Sequence, residues 1–472
     1  MNYLKVSIKT ALAGAVLSSM SLAAQTNPAL DDWKAFAAQS GNENHAKWVA
    51  EISKPEAIRL AKEWKDLRGY DAHDLIAKTE LPADLKAGLV ITKDNMGDYP
   101  WLKEYLPDEM YGHLTSDWSN IAQITIVPTN TYYPHKGYLQ GTKELAEKGI
   151  TLQINEKGEL VYPDGTYALM SGPGATSIPF LNPQNGLEMN WDYVASSVNT
   201  DTLDFEPIHM RACTPSGKVD SEYKADLWWW HYHNRSNVAP MGDIEGKEDF
   251  IEGGSIFFKE PYDIRGLAGV RQRYPEAGKP DDFKVFIPSL RRTRTLTGSD
   301  AQDPIASGQE LTWEDWRAYW SKTDIDSFEY KLVGETLILA SPEVGYIYDS
   351  AVLTKDQCNY ASMELELRPV WIFDIIDKTG KYMYSKRRTW IDKELYYMQY
   401  HMTWDPRGNP YRNWEDSRAW RPTVGDAQWR YAMVNNYVTK RMTTLFMDAQ
   451  WDDRDERVSD EMFDVDQLRD YQ

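Results

Sequence analysis

Cysteine is almost absent: the 472 residues contain two, Cys213 and Cys358. A disulfide-stapled scaffold is therefore excluded, and so is a metal site built on cysteine clusters. In an oxidising compartment the two can pair or stay as buried thiols, and the spacing allows both. Past the N-terminus, no stretch reaches the roughly 18 consecutive apolar residues of a membrane span. Positive charge is also short, with 52 Lys+Arg against 72 Asp+Glu for a net charge of −20. That balance opposes nucleic acid or an anionic membrane surface as the main partner. Missing too are a Gly-x-Ser-x-Gly elbow, a His-Glu-x-x-His pair, a phosphate-cradling glycine loop and a dinucleotide fingerprint. No catalytic residue and no cofactor is assigned, and no repeat of about 20 to 50 residues suggests a solenoid or propeller.

Aromatic residues, by contrast, are plentiful: 12 Phe, 19 Trp and 29 Tyr make 13% of the chain. Such a chain has enough apolar surface to fold around a core. At its start, Lys5 and Lys9 precede an apolar run from Ala11 to Val16 that continues to Leu22 and the small pair Ala23-Ala24. Residues 1–24 read as a secretory leader cleaved near Ala23 or Ala24, which implies export, into a bacterial periplasm. Losing Lys5 and Lys9 with the leader would take the charge from −20 to −22. No cysteine stands at the cleavage point to carry a lipid anchor.

Residues 25–190 read as a helical and mixed region that packs on a sheet. Short helices are expected over 33–38 and 56–67, the second with Ala57, Leu60, Ala61 and Trp64 on one face. Residues 191–472 read mainly as strands, among them 255–258, 267–274, 283–296, 330–340, 369–376, 382–391, 395–404 and 429–439. They are joined by short Gly, Pro and Asp turns, which implies an antiparallel sheet and an α+β class. In 395–404 the even positions Tyr396, Met398, Tyr400, Met402 and Trp404 are greasy, while Gln399, His401 and Thr403 are wet. Val270 and Tyr274 oppose Arg271 and Arg273, and Phe283, Val285 and Ile287 share a side. One apolar face per strand suits either an ordinary core or the lining of an apolar ligand site.

Two other chemistries bear on this composition. Trp228-Trp-Trp-His-Tyr-His233 would place His231 and His233 on one strand face, a minimal metal motif that no local Cys or Glu completes; no metal is assigned. Exposed Trp platforms with paired carboxylates would instead bind or hydrolyse a glycan. The acidic run 452–456 lacks the spacing of a calcium loop and reads as a solvated face.

The order Gly266-Leu-Ala-Gly-Val-Arg-Gln-Arg-Tyr274, Val285-Phe-Ile-Pro-Ser-Leu-Arg-Arg-Thr-Arg294, Gly298-Ser-Asp300 and Trp313-Glu-Asp315 resembles the domain of unknown function 1329 family. Arg368-Pro-Val-Trp-Ile-Phe-Asp374, Tyr384-Ser-Lys-Arg-Arg-Thr-Trp-Ile-Asp392 and Trp404-Asp-Pro-Arg-Gly408 continue it in the same order. That family is described as outer-membrane lipoprotein-sorting-like and is similar to the LolA/LolB carrier fold. The resemblance implies a strongly curved antiparallel half-barrel closed by helices, with no catalysis. It implies a lipid or other hydrophobic small molecule on the concave face, and partners in a resistance-nodulation-division type exporter of the inner membrane and an outer-membrane protein. Alternation and resemblance together make Val270, Tyr274, Val285, Ile287, Trp371, Phe373, Tyr396, Met398, Tyr400 and Trp404 the expected lining. Arg291 and Arg292 would meet an anionic head group.

Overall fold

The computed structural model describes residues 28–196, 200–297, 300–318, 322–354, 358–449 and 458–468. The leader 1–24, the acidic run 452–456 and Gly298-Ser299 of the third motif lie outside the described residues.

One large sheet organises the chain, and it is antiparallel apart from one short pairing. From strand Tyr360–Asp377 the order runs through Lys386–Asp392, Met398–Trp404, Pro410–Trp420, Ala427–Asn436, Met442–Ala449, Thr202–Cys213, Val219–His231, Glu252–Glu260, Ala268–Arg273 and Asp282–Ile287 to Arg292–Thr295. Most neighbours are consecutive in the chain and joined by short turns. At Asp405-Pro-Arg-Gly408 the Asp405 carboxylate accepts the Arg407 and Asn409 N–H groups, and Gly408 takes the positive φ of 83° that ends the turn. Strand Phe328–Ala340 pairs with Tyr360–Asp377 on its other side. The N-terminal region also enters the sheet, because Gln123–Ile126 runs parallel to residues 363–365 and carries Val90–Thr92 beyond it.

The sheet curls. Phe283 and Tyr382 both touch the short segment Trp313-Glu314, at 5.5 Å between the Phe283 and Trp313 rings and 2.8 Å from the Tyr382 hydroxyl to Glu314. Phe283's strand and Lys386–Asp392, the strand that follows Tyr382, stand nine spacings apart in the sheet order, about 43 Å if it were flat. The curl is not completed by hydrogen bonds: among the described residues Arg292–Thr295 and Phe328–Ala340 each have one strand neighbour. The protein is α+β with a large antiparallel sheet, as the strands and turns suggested, and the sheet is curved but unclosed, as the family resemblance implied.

Its concave face is filled from the N-terminal side. Helix Pro55–Arg68 starts on a proline, which suits the first helical turn, and buries Ala57, Leu60, Trp64 and Arg68. Trp33, Phe36, Trp48, Tyr132, Tyr133, Met189 and Tyr193 join Trp64 against Trp371, Phe373, Tyr396, Trp414 and Trp429 in one core. The convex face is covered too. Leu102, Tyr105, Met110 and Leu114 pack on it at one end, and Val458, Phe463, Val465 and Leu468 at the other. Cys213 and Cys358 are joined as a disulfide, their Cα atoms 6.2 Å apart, which ties two strand ends 145 residues apart in the chain.

Candidate functional site

Two patches of the concave face carry unusual chemistry. The first lies beneath the N-terminal helices. Arg368, with no solvent exposure, donates twice to Asp392 (2.7 and 3.2 Å), once to Glu394 (2.8 Å) and once to the Asn130 carbonyl (2.7 Å). Glu366 beside it accepts the Asn130 N–H and the Tyr132 hydroxyl. Burial and the Asp416 charge push the Glu343 carboxyl up to about 8. Burial likewise raises Glu366 to about 7 and Asp416 to about 6, and on the opposite face of Asp416's strand it raises Glu415, which pairs with Tyr400, to about 7. Arg368, Asp392, Glu394 and Glu366 are enclosed and hydrogen-bonded, which is what a dry interior demands of charge.

The second patch lies where the sheet fails to close. Arg271, Arg387 and Arg412 project from strands Ala268–Arg273, Lys386–Asp392 and Pro410–Trp420, and are 8%, 2% and 8% exposed. A strap formed by residues 301–315 crosses in front of them. Its Glu310 stands 3.4 Å from Arg412, its Asp315 3.5 Å from Arg387 and 3.7 Å from Arg412, and its Glu314 3.9 Å from Arg387. The Tyr384 hydroxyl donates to Asp315 at 2.7 Å. Burial works against the Arg387 charge, yet Tyr382, Asp315 and Glu314 hold its pKa above the ordinary arginine value.

Between these acids the Trp313 indole enters an apolar slot. Gly269 floors it: a Cβ there would lie 3.3 Å from the indole, a tight contact that would push the ring back by a few tenths of an ångström. Leu227, Trp229, Ile256, Phe283 and Ile305 form the walls of a cavity with about 30 Å³ of free room. Through Arg271 and Phe283 it adjoins an open cleft of about 430 Å³, lined by Lys279, Asp281, Lys322, Phe328 and Tyr382 among others. Burial would raise Asp281, but Arg273, Arg271 and Lys322 hold it at about 2. Burial lowers Arg271 to about 10 and Lys322 to about 8.

The expected lining residues do not share one surface. Trp371, Phe373, Tyr396 and Met398 come together on the concave side, packed against the N-terminal helices rather than a void. Tyr396 is not on a strand: it sits in a turn at φ 59°, with its ring 6.1 Å from Trp64. Tyr400 and Trp404 face the convex side with Met110 and Trp390. The reason is a bulge: Ile391 pairs with Met398 and Trp390 with Tyr400, so the register slips at Gln399 and the two neighbours point to opposite faces. Val270 lies under the C-terminal segment with Trp228 and Phe257, away from Val285, which pairs with Gly269 beside the slot. Ile287 is half-buried at the end of its strand. Tyr274 packs at a tilt against Phe250, ring centroids 4.7 Å apart, under the Lys279 ammonium. Arg291 and Arg292 are exposed, Arg292 opening the edge strand.

Glycan platforms find little support in the placement of the indoles, since every described Trp is buried or half-buried. Strand Val219–His231 ends at His231, whose burial lowers its pKa to about 4, and His233 beyond it donates to the Phe250 carbonyl. Among the described residues no group of three His, Cys, Asp or Glu could hold a metal, and no helix is long and apolar enough to cross a membrane.

A curled, unclosed antiparallel sheet with helices packed in its hollow defines the class. The chain belongs to the family described as "Protein of unknown function (DUF1329)", whose model matches residues 90–469. Among solved structures it is similar to an outer membrane lipoprotein-sorting protein domain from Vibrio parahaemolyticus (16% identity, TM-score 0.42, covering 60% of this chain and 98% of that one). A DUF1329 family protein from Desulfovibrio piger follows with 16% identity, TM-score 0.41 and coverages of 60% and 95%. A LolA superfamily protein from Nitrosomonas europaea shares 11% identity, with TM-score 0.35 and coverages of 60% and 99%. No curated protein matches the chain.

Gly269, Phe283, Arg387, Arg412 and the strap acids were not among the expected site residues. The signal for most of them lay in the stretches that carry the family resemblance. Gly266 to Tyr274, Trp313 to Asp315 and Tyr384 to Asp392 are separate in sequence and meet at this one patch.

Proposed function

We propose that the protein is a periplasmic carrier or presenter of a hydrophobic, lipid-like ligand, serving an exporter of the resistance-nodulation-division type and the outer membrane, without catalysis. The observation that carries this reading is the apolar slot at the unclosed seam, adjoining a cleft of about 430 Å³. The driving force is transfer of apolar surface: a dozen buried methylenes are worth roughly 10 kcal/mol before ordering costs. The free room in the slot, about 30 Å³, is far below the volume of such a chain, so loading requires side chains to move aside. Of the expected lining, Val285, Trp371, Phe373 and Met398 stand on the concave face toward which the ligand would extend.

Native mass spectrometry and lipid extraction of protein purified from the periplasm test the reading, together with titration of a fluorescent fatty acid. Co-purifying lipid or saturable uptake is the expected result. Protein repeatedly recovered empty and unable to take up the probe would overturn it.

A further inference from the structure

Three buried arginines on one concave surface carry a large desolvation cost; Asp281 meets it for Arg271 with a 2.8 Å hydrogen bond, and one short strap helps to meet it for Arg387 and Arg412. Glu310, Glu314 and Asp315 approach Arg387 and Arg412 at 3.4 to 3.9 Å. These distances exceed those of a direct charge-assisted hydrogen bond, about 2.7 to 2.9 Å. The enclosed pairs of Arg368 meet that standard at 2.7 and 2.8 Å. The strap also inserts a flat apolar group, the half-buried Trp313, against Gly269 and Phe283. An apolar group flanked by carboxylates, set in an apolar slot flanked by guanidinium groups, has the composition of an acidic amphiphile in its receptor.

We infer that the Gly269–Phe283 slot with Arg271, Arg387 and Arg412 binds an amphiphile bearing an anionic head group, and that residues 301–315 occupy this site in the unloaded protein as a built-in surrogate. This rests on the carrier reading and deepens it by naming the ligand class and the place of its head. The ligand's tail takes the place of the Trp313 indole, and its carboxylate or phosphate takes over the arginines from Glu314 and Asp315. Arginine suits both heads, because its planar fork pairs with either. The adjoining cleft, lined by Lys279 and Lys322, is the way in.

The full mature chain tests this with a fluorescent fatty acid of about 11 carbons, its uncharged methyl ester, and dodecyl phosphate as competitor. If the strap is closed about nine-tenths of the time, removing it tightens apparent affinity about tenfold. Trp313→Ala and, separately, Glu314→Gln with Asp315→Asn are expected to bind the acid more tightly than the wild type, the ester gaining less. Dodecyl phosphate is expected to displace the acid, and Arg387→Gln with Arg412→Gln to abolish the preference for acid over ester. Circular dichroism and a thermal melt report folding; if the double arginine variant does not fold, the acid-to-ester ratio in Trp313→Ala decides alone. Equal binding of acid and ester in every folded variant, or no gain on loosening the strap, overturns the inference and leaves the carrier reading standing. Failure of every variant to take up either probe overturns both. Displacement by dodecanoate alone assigns a carboxylate head, by dodecyl phosphate alone a phosphate head.

Discussion

The N-terminal helices and the 301–315 strap both cover the concave face, and they cover it differently. Under the helices, Trp33, Trp48 and Trp64 are at most 1% exposed, and Arg368 is held by hydrogen bonds of 2.7 to 3.2 Å. Under the strap, Trp313 is half-buried, the ion pairs are longer, and the seam adjoins an open cleft. The strap is anchored in the same core through Ile305, Ala306 and Leu311, so the looser cover is confined to Trp313 and its acids. Tight packing marks where the fold is held, and looser packing marks where a ligand could enter.

The sharpest way to break this contrast is Arg368→Ala. It strands Glu366, Asp392 and Glu394 without their cation, and a loss of about 3 to 5 kcal/mol is expected in denaturant unfolding. A loss no greater than that of an exposed arginine would mean the helix-covered half is less enclosed than described. Next comes reduction of the Cys213–Cys358 bond, which closes a loop of 145 residues. The chain-entropy relation gives roughly 5 kcal/mol for such a loop, so the reduced protein should melt well below the oxidised one.

The pH profile separates the halves by the sign of their contributions. Under the helices, Glu343, Glu366 and Asp416 have folded pKa values of about 8, 7 and 6. Their stabilising effect is complete below their unfolded values near 4 and is lost as pH rises through the folded ones. Asp281, beside the cleft, is held at about 2, so its contribution is present throughout that range and fades only in strong acid. The melting temperature should therefore fall between pH 5 and 8.5; a flat or rising curve would contradict the enclosure of those carboxyls. Trp313→Ala should have the smallest effect, about 1 kcal/mol or less, since its indole is half-buried. A loss as large as that of a core tryptophan would make this end of the strap part of the core as well.

Much of the sheet was legible in the residues. The strands expected over 255–258, 267–274 and 330–340 correspond to Glu252–Glu260, Ala268–Arg273 and Phe328–Ala340, and the turn at Asp405 joined neighbours as expected. The expected strand over 283–296 is broken by a short helical turn at Pro288–Leu290, after which Arg291 takes φ 50°. Strands such as Pro410–Trp420 and Met442–Ala449 are covered on both faces, so their sequences carry little alternation to read. The bulge at Gln399 was invisible because it depends on the partner strand. The site was half legible: its motifs stood out as a family likeness, but their meeting depends on a curl that no local pattern encodes.

The helix ending at Arg68 is seated by residues made more than 300 positions later. Trp64 donates to the Glu394 carbonyl, Arg68 to that of Lys393, and the Ala72 N–H to the Glu394 carboxylate. A chain emerging N-terminus first therefore presents the helices that carry Trp33, Trp48 and Trp64 long before their seat exists. Contacts of this span form slowly, so the first third of the protein would be the last to lock, and the nascent chain would need shelter for its tryptophans meanwhile. Pulsed hydrogen exchange during refolding should find amides of Pro55–Arg68 protected after those of Ala427–Asn436; the reverse order would refute it.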